Sequence, residues 1–215
     1  MGKKGWCLLV ALALCVAVGA PLAVFGWMDA AVLGRDTPIS TQTGKLAVSS
    51  SDLPLVEHIH NVLGETNAQE QSSRPATLEE MESGLSDFLS SGVLPQWVAD
   101  VWEQVCQTGV GTVTVTYGTD IISYEYNGTD GVSCSYTTDL ASGCVLGFQL
   151  YTKEKYTASQ ERRQAVMERY IQYLELDVLG DWVYNGNRYQ STEAQLFVNA
   201  LLEEDSGGFS IGVEL

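Results

Sequence analysis

The chain has 215 residues, with 11 Lys and Arg against 27 Asp and Glu and a formal charge of −16. Charge of that sign speaks against a nucleic-acid partner, because neutralising phosphates takes clustered cations that this sequence lacks. With 45% apolar and 18% charged residues, it is too hydrophobic for a disordered acidic chain and rich enough for a packed core.

Residues 6–28 read WCLLVALALCVAVGAPLAVFGWM, 23 positions without a charge, with Lys3 and Lys4 before them and Asp29 after. At about 1.5 Å per residue, a helix of that length crosses a hydrocarbon layer of about 30 Å. Trp6 and Trp27 bracket the run as interfacial aromatics do. The apolar part of a cleaved signal peptide usually runs only about 7 to 15 residues, and Val18-Gly19-Ala20 is a poor cleavage site because Pro21 follows it. The expectation is therefore an uncleaved single-pass anchor in the cell membrane, touching the bilayer through residues 6–28; secretion after signal cleavage is the alternative. Lys3 and Lys4 place the N-terminus in the cytoplasm and the C-terminal domain outside. Beyond residue 28 the balance is 9 basic to 27 acidic residues, a formal −18.

After this basic tip and anchor (1–28), residues 29–76 read as a polar stalk or linker rich in Ser and Thr, with a short helix at 55–63. An extracytoplasmic α+β domain is expected over 77–215. Thr77-Leu-Glu-Glu80 is a capping box, and Leu78, Met81, Leu85, Phe88 and Leu89 then recur at helical spacing until Gly92. A second helix begins at Pro95, carries Trp97, Val98, Val101, Trp102 and Val105 on one stripe, and ends at Gly109. Four segments of period two follow, beginning with Val113, Val115 and Tyr117 and then Ile122, Tyr124 and Tyr126. Val132, Cys134 and Tyr136 make the third, and Cys144, Leu146, Phe148 and Leu150 the fourth. Ser159 caps a third helix whose Val166, Met167, Tyr170, Ile171 and Leu174 face inward. A small hairpin around Asn185-Gly186, a helix from about Thr192 to Leu202 and a last strand near Phe209 to Val213 complete the chain. Elements grouped in this way predict an N-terminal single transmembrane helix followed by an α+β domain. Its sheet is a mostly antiparallel meander of four to five strands, packed on one face by three or more helices. No repeat at a solenoid period is visible.

Candidate chemistry is sparse. Cys7 and Cys15 fall in the apolar run, leaving Cys106, Cys134 and Cys144 outside. Placing Thr137 opposite Cys144 sets Cys134 opposite Gly147, so the two sulfurs lie near 10 Å apart, beyond the limit of about 7 Å between the Cα atoms of a bridge. Free, buried thiols are favoured over a disulfide. His58 and His60 stand at i and i+2, about 200° apart on a helix, and no third ligand accompanies them. No G-x-S-x-G elbow is present, and the oxygen-bearing loops Asn127–Gly131 and Asp181–Asn187 do not fit a calcium-loop pattern. No metal and no cofactor is expected.

The second face of the predicted sheet is more suggestive, carrying Thr112, Thr114, Thr116, Ser123, Glu125, Ser133, Ser135 and Thr137. Thr112, Thr114, Thr116, Glu125, Ser133 and Ser135 are the candidate partner face, for a protein or glycan at the cell surface. The ordinary reading of such a face is the wet side of a half-covered sheet. The tail Phe209–Val213 either joins a sheet edge or stays free for β-augmentation of a partner. The expected function is a non-catalytic interaction or sensing module. The alternative is a cell-envelope hydrolase using a carboxylate pair, with Glu125 as the acid to inspect.

Overall fold

Thr77 caps its helix as the sequence requires: its hydroxyl accepts from Glu80 N at 3.1 Å, and the Glu80 carboxylate accepts from Thr77 N at 3.2 Å. A computed structural model describes residues 49–50, 53–64, 72–153, 160–203 and 207–215. The predicted membrane span at 6–28 lies outside the described residues, as do Ser159 and most of the expected stalk. Among the described residues, no helix is long and apolar enough to cross a membrane.

The helices are α1 (Pro54–Gly64), α2 (Leu78–Ser90), α3 (Gln96–Thr108) and α4 (Gln160–Tyr173). The strands are β1 (Ser72–Ala76), β2 (Gly111–Tyr117), β3 (Ile121–Gly128), β4 (Ser133–Asp139), β5 (Val145–Tyr151), β6 (Val183–Tyr184), β7 (Arg188–Ser191), β8 (Leu196–Glu203) and β9 (Gly208–Glu214). They form one nine-stranded sheet in the order β1-β2-β3-β4-β5-β9-β8-β7-β6, and every neighbouring pair is antiparallel.

This corrects the expected sheet of four to five strands. The four alternating segments are β2 to β5, the hairpin around Asn185-Gly186 is β6 and β7, and the last strand is β9; β1 and β8 are the strands not expected, each for a physical reason. β1 reads Ser-Ser-Arg-Pro-Ala and is almost wholly exposed; as an edge strand it needs no apolar face and tolerates Pro75. Leu196 to Leu202, expected as helix, is β8, because pairing with both β7 and β9 overrides the helical preference of its Ala and Leu residues. The turn before β8 also breaks a helix: Gln195 takes a φ of 53°, in the left-handed region. The tail strand is no free edge, since β9 lies between β5 and β8.

Within the segment expected as stalk, α1 buries Ile59 completely and His60 Nε2 lies 2.7 Å from Ala194 O. β1 pairs with β2 from Ser72↔Tyr117 to Ala76↔Val113. Arg74 fastens that edge, reaching Glu80 Oε2 at 3.1 Å and the Tyr117 hydroxyl at 2.8 Å.

The core lies between the helices and one face of the sheet. Phe88 of α2 meets Phe148 of β5 and Tyr170 of α4, while Trp97 of α3 stands edge-on to Phe209 of β9. Tyr170 donates to Val145 O at 2.9 Å and Tyr173 accepts from Val145 N at 2.9 Å, tying α4 to a bulge in the β4–β5 ladder next to Thr138.

The chain repeats itself, though at no solenoid period. α3 is followed by the meander β2 to β5 and α4 by the meander β6 to β9, and the two halves meet where β5 pairs with β9. Leu146-Gly-Phe-Gln-Leu150 is echoed 65 residues later by Ile211-Gly-Val-Glu-Leu215. The same offset carries Trp102 and Val105 of α3 onto Met167 and Tyr170 of α4, and all four are buried.

Candidate binding groove on the open sheet face

Period-two alternation sends one set of side chains from each strand into the core and the other set to the opposite face. The six predicted partner-face residues do share that opposite face: Thr114 pairs with Glu125 and Glu125 with Ser135, while Thr112 pairs with Asn127 and Asn127 with Ser133. Two of the six, Thr116 and Glu125, are engaged by neighbours on the same face. Asn127 donates to Glu125 Oε1 at 2.9 Å, Ser123 and Thr137 share a hydrogen bond of 2.9 Å, and so do Ser73 and Thr116.

One row across this face runs Ser73, Thr116, Ser123, Thr137, Gly147, Gly212, Asn199, Arg188. Its centre has no side chains. Thr137 and Asn199 are three strand spacings apart, about 14 Å, with only the Gly147–Gly212 pair between them. The result is a groove of about 770 Å³, at the junction of the two repeated halves. Ser135, Gln149 and Ser210 lie on the next row along the strands, and Val62 and Leu63 of α1 wall one end.

Neither glycine is demanded by the backbone. Both lack a positive φ, and a Cβ at Gly147 would meet nothing nearer than Ile211 O at 4.0 Å, while one at Gly212 would meet Leu146 O at 3.5 Å. Glycine inside a strand costs about 0.5–1 kcal/mol relative to alanine, so two facing glycines with room for a side chain cost stability without relieving strain. A flat floor open to close approach is what they provide. The sequence reading missed this pair; the recurring Leu/Ile-Gly-Phe/Val-Gln/Glu-Leu pattern was the signal that would have found it.

At the opposite end, Arg163 of α4 and Asn187 line the groove beside Leu201. Arg163 is half-buried, and its Nε is shut off from water with no hydrogen-bond partner. Glu214, the one carboxylate lining the groove among the described residues, is occupied by Asn199 Nδ2 at 2.7 Å. Glu125 lies three strands away and four residues along, roughly 20 Å from Glu214 by the register, whereas carboxylate-pair hydrolysis works at about 5–9.5 Å.

Other candidate chemistry is dispersed. The register places Cys134 opposite Leu150, not Gly147, which carries it still farther from Cys144; Cys106, Cys134 and Cys144 are free thiols. Burial, and then the charges of Glu82 and Glu103, push the Cys106 thiol up to about 11. Burial also raises Cys134 and Cys144, so none of the three is an activated thiolate. The Asp181 carboxylate accepts from Ser191 Oγ and Glu193 N, both at 2.7 Å, which makes its loop a structural clamp. Among the described residues, no group of three or more His, Cys, Asp or Glu side chains is placed to hold a metal ion. Comparison with protein-family models, with characterised proteins and with solved structures finds no match to this chain.

Proposed function

We propose that the protein is a membrane-anchored, non-catalytic binding module, held to the bilayer by residues 6–28 and receiving its partner outside the cell on the open sheet face, in the Gly147–Gly212 groove. The observation that carries this reading is the glycine floor: two unstrained glycines face each other at the junction of the repeated halves, with side-chain space left unfilled above both. The groove volume, about 770 Å³, falls among those of small-ligand sites, about 300–1,000 Å³. The polar groups around it bind and orient; Glu214, the carboxylate lining it among the described residues, is already hydrogen-bonded.

Site-specific photocrosslinking in the native membrane tests the proposal. A crosslinker at Gln149, on the open face, is expected to yield a discrete adduct that Gly147→Val diminishes, while a crosslinker at the exposed Glu79 of α2 yields none. Adducts from Glu79 alone, or an open-face adduct indifferent to Gly147→Val, would overturn it.

A further inference from the structure

The groove has a chemical polarity that narrows its occupant. Its floor strands β5 and β9 are internal, each flanked on both sides by a partner strand, so their backbone groups are spent on the ladder and an arriving polypeptide cannot add here as another strand. A peptide laid across the floor would have to satisfy its own N–H and C=O groups from side chains. Between Glu214, which Asn199 engages, and Arg163, what surrounds the floor is a set of neutral groups, Ser135, Thr137, Gln149, Ser210 and Asn199, of kinds that both donate and accept. Hydroxyls do the same, so a polyhydroxy ligand matches this rim with few groups left over. Ile121 and Leu201 supply apolar contact for the carbon faces of such a ligand.

Charge then distinguishes the two ends. Residues 49–215 carry seven Lys and Arg against 25 Asp and Glu, so a guanidinium is the scarce charge in this domain. Most described arginines are engaged: Arg74 with Glu80, Arg169 with Gly92 O, and Arg188 over the Phe197 ring. Arg163 Nε has no partner although it is buried, and leaving such a donor unsatisfied costs about 1–3 kcal/mol or more. The internal repeat shows that the position itself does not require a cation. Its counterpart 65 residues earlier is Val98, a fully buried core residue of α3.

We infer that the groove binds an acidic oligosaccharide, its hydroxyls on the neutral rim above Gly147 and Gly212 and a single carboxylate on Arg163. This rests on the open face being the binding site, as proposed above. The test is a glycan array probed with the detergent-solubilised full chain, in which each oligosaccharide is present with a terminal uronate and as its neutral counterpart reduced to the hexose. Acidic peptides are spotted alongside.

Uronate-terminated members are expected to be retained at least tenfold more strongly than their neutral partners. Arg163→Gln should bring the two to parity. Gly147→Ala, which the site accommodates without overlap, should weaken both. Retention of no oligosaccharide, retention indifferent to Arg163→Gln, or retention of acidic peptides instead overturns the inference. If the open-face crosslink still forms, the binding-module reading survives that failure; if it does not, both fall.

Discussion

Gly84 sits within α2 with its Cα over Tyr136, and the effect of giving it a methyl group can be worked out. On an ordinary helix, Gly→Ala gains about 0.5–1 kcal/mol. Here a Cβ would overlap the Tyr136 hydroxyl, which donates to Met81 O at 2.7 Å from a ring that is buried and stacked on Tyr124. The ring cannot swing away freely. Losing that hydrogen bond costs about 1 kcal/mol, and forcing extra volume into a packed site costs about 1–3 kcal/mol. Net destabilisation by Gly84→Ala is therefore expected near 2 kcal/mol, a fall in Tm of roughly 4–8 °C for a domain of this size. Thermal unfolding followed by near-ultraviolet circular dichroism measures it. The sign should reverse in a Tyr136→Phe background, where the nearest ring atom, Cζ, lies at an ordinary 3.5 Å and the helical gain is released. A neutral or stabilising Gly84→Ala in the unaltered chain, or no reversal in the Phe background, would refute this account of the α2–sheet contact.

Further outcomes follow from the same packing. Ile59→Ala in α1 should cost about 2–4 kcal/mol and lower Tm, since Ile59 is wholly buried; a change within experimental error would refute that packing of α1. Alkylation of Cys106 should be slow at pH 7.5 and accelerate toward pH 11, its thiol being pushed up to about 11 by burial and then by Glu82 and Glu103; Cys134, fully enclosed, should react only on unfolding. Burial raises the phenols of Tyr136, Tyr170 and Tyr189 above the ordinary value of 10. The folded state thus holds those protons more tightly than the unfolded chain. Their contribution is complete below about pH 10 and is lost as pH rises through the folded values, so Tm should fall steeply on the alkaline side of pH 10, and less steeply in Tyr189→Phe.

Local signals in this sequence were reliable where one element is governed by its own residues. The Thr77–Glu80 box, the stripe Met81, Leu85, Phe88 and the inward set Val166, Met167, Tyr170, Ile171 all stand where periodicity puts them, because each helix has one partner surface and one apolar stripe. Strands β2 to β5 were legible for the same reason. Failures came where non-local pairing decides the outcome. Nothing in Ser72–Ala76 marks it as a strand until β2 offers an edge, and Leu196–Leu202 has apolar residues on both periods, so only the presence of β7 and β9 selects the extended form. The β4–β5 register differs by three residues from the hairpin count, two from the longer turn closed by Thr138↔Val145 and one from the bulge between Thr137 and Thr138, which together place Cys134 opposite Leu150. Of the candidate face, the shared orientation of Thr112, Thr114, Thr116, Glu125, Ser133 and Ser135 followed from alternation alone. The Gly147–Gly212 pair did not, because it joins strands from different halves of the chain.

The repeat also explains why the groove has unlike ends. Two copies of a helix and a four-strand meander, joined through β5 and β9, produce a near-symmetric centre in which Thr137 flanks Gly147 as Asn199 flanks Gly212. The additions to each copy are not symmetric. Beyond β2 the first copy gains β1, pinned by Arg74 to Glu80 and Tyr117, which prolongs the sheet. In the second copy β7 spans only Arg188–Ser191 and pairs with β8 no farther than Asn199, so the Ala200–Leu201 border has no β7 residue beside it. That is the border at which Arg163 lines the groove. α3 buries Val98 completely, whereas at the equivalent position of α4 Arg163 is half-buried and lines the groove. The shortened β7 and the unpaired arginine are thus two parts of one departure from symmetry, and lengthening β7 toward Ala200 should remove the charge from the groove as surely as replacing Arg163.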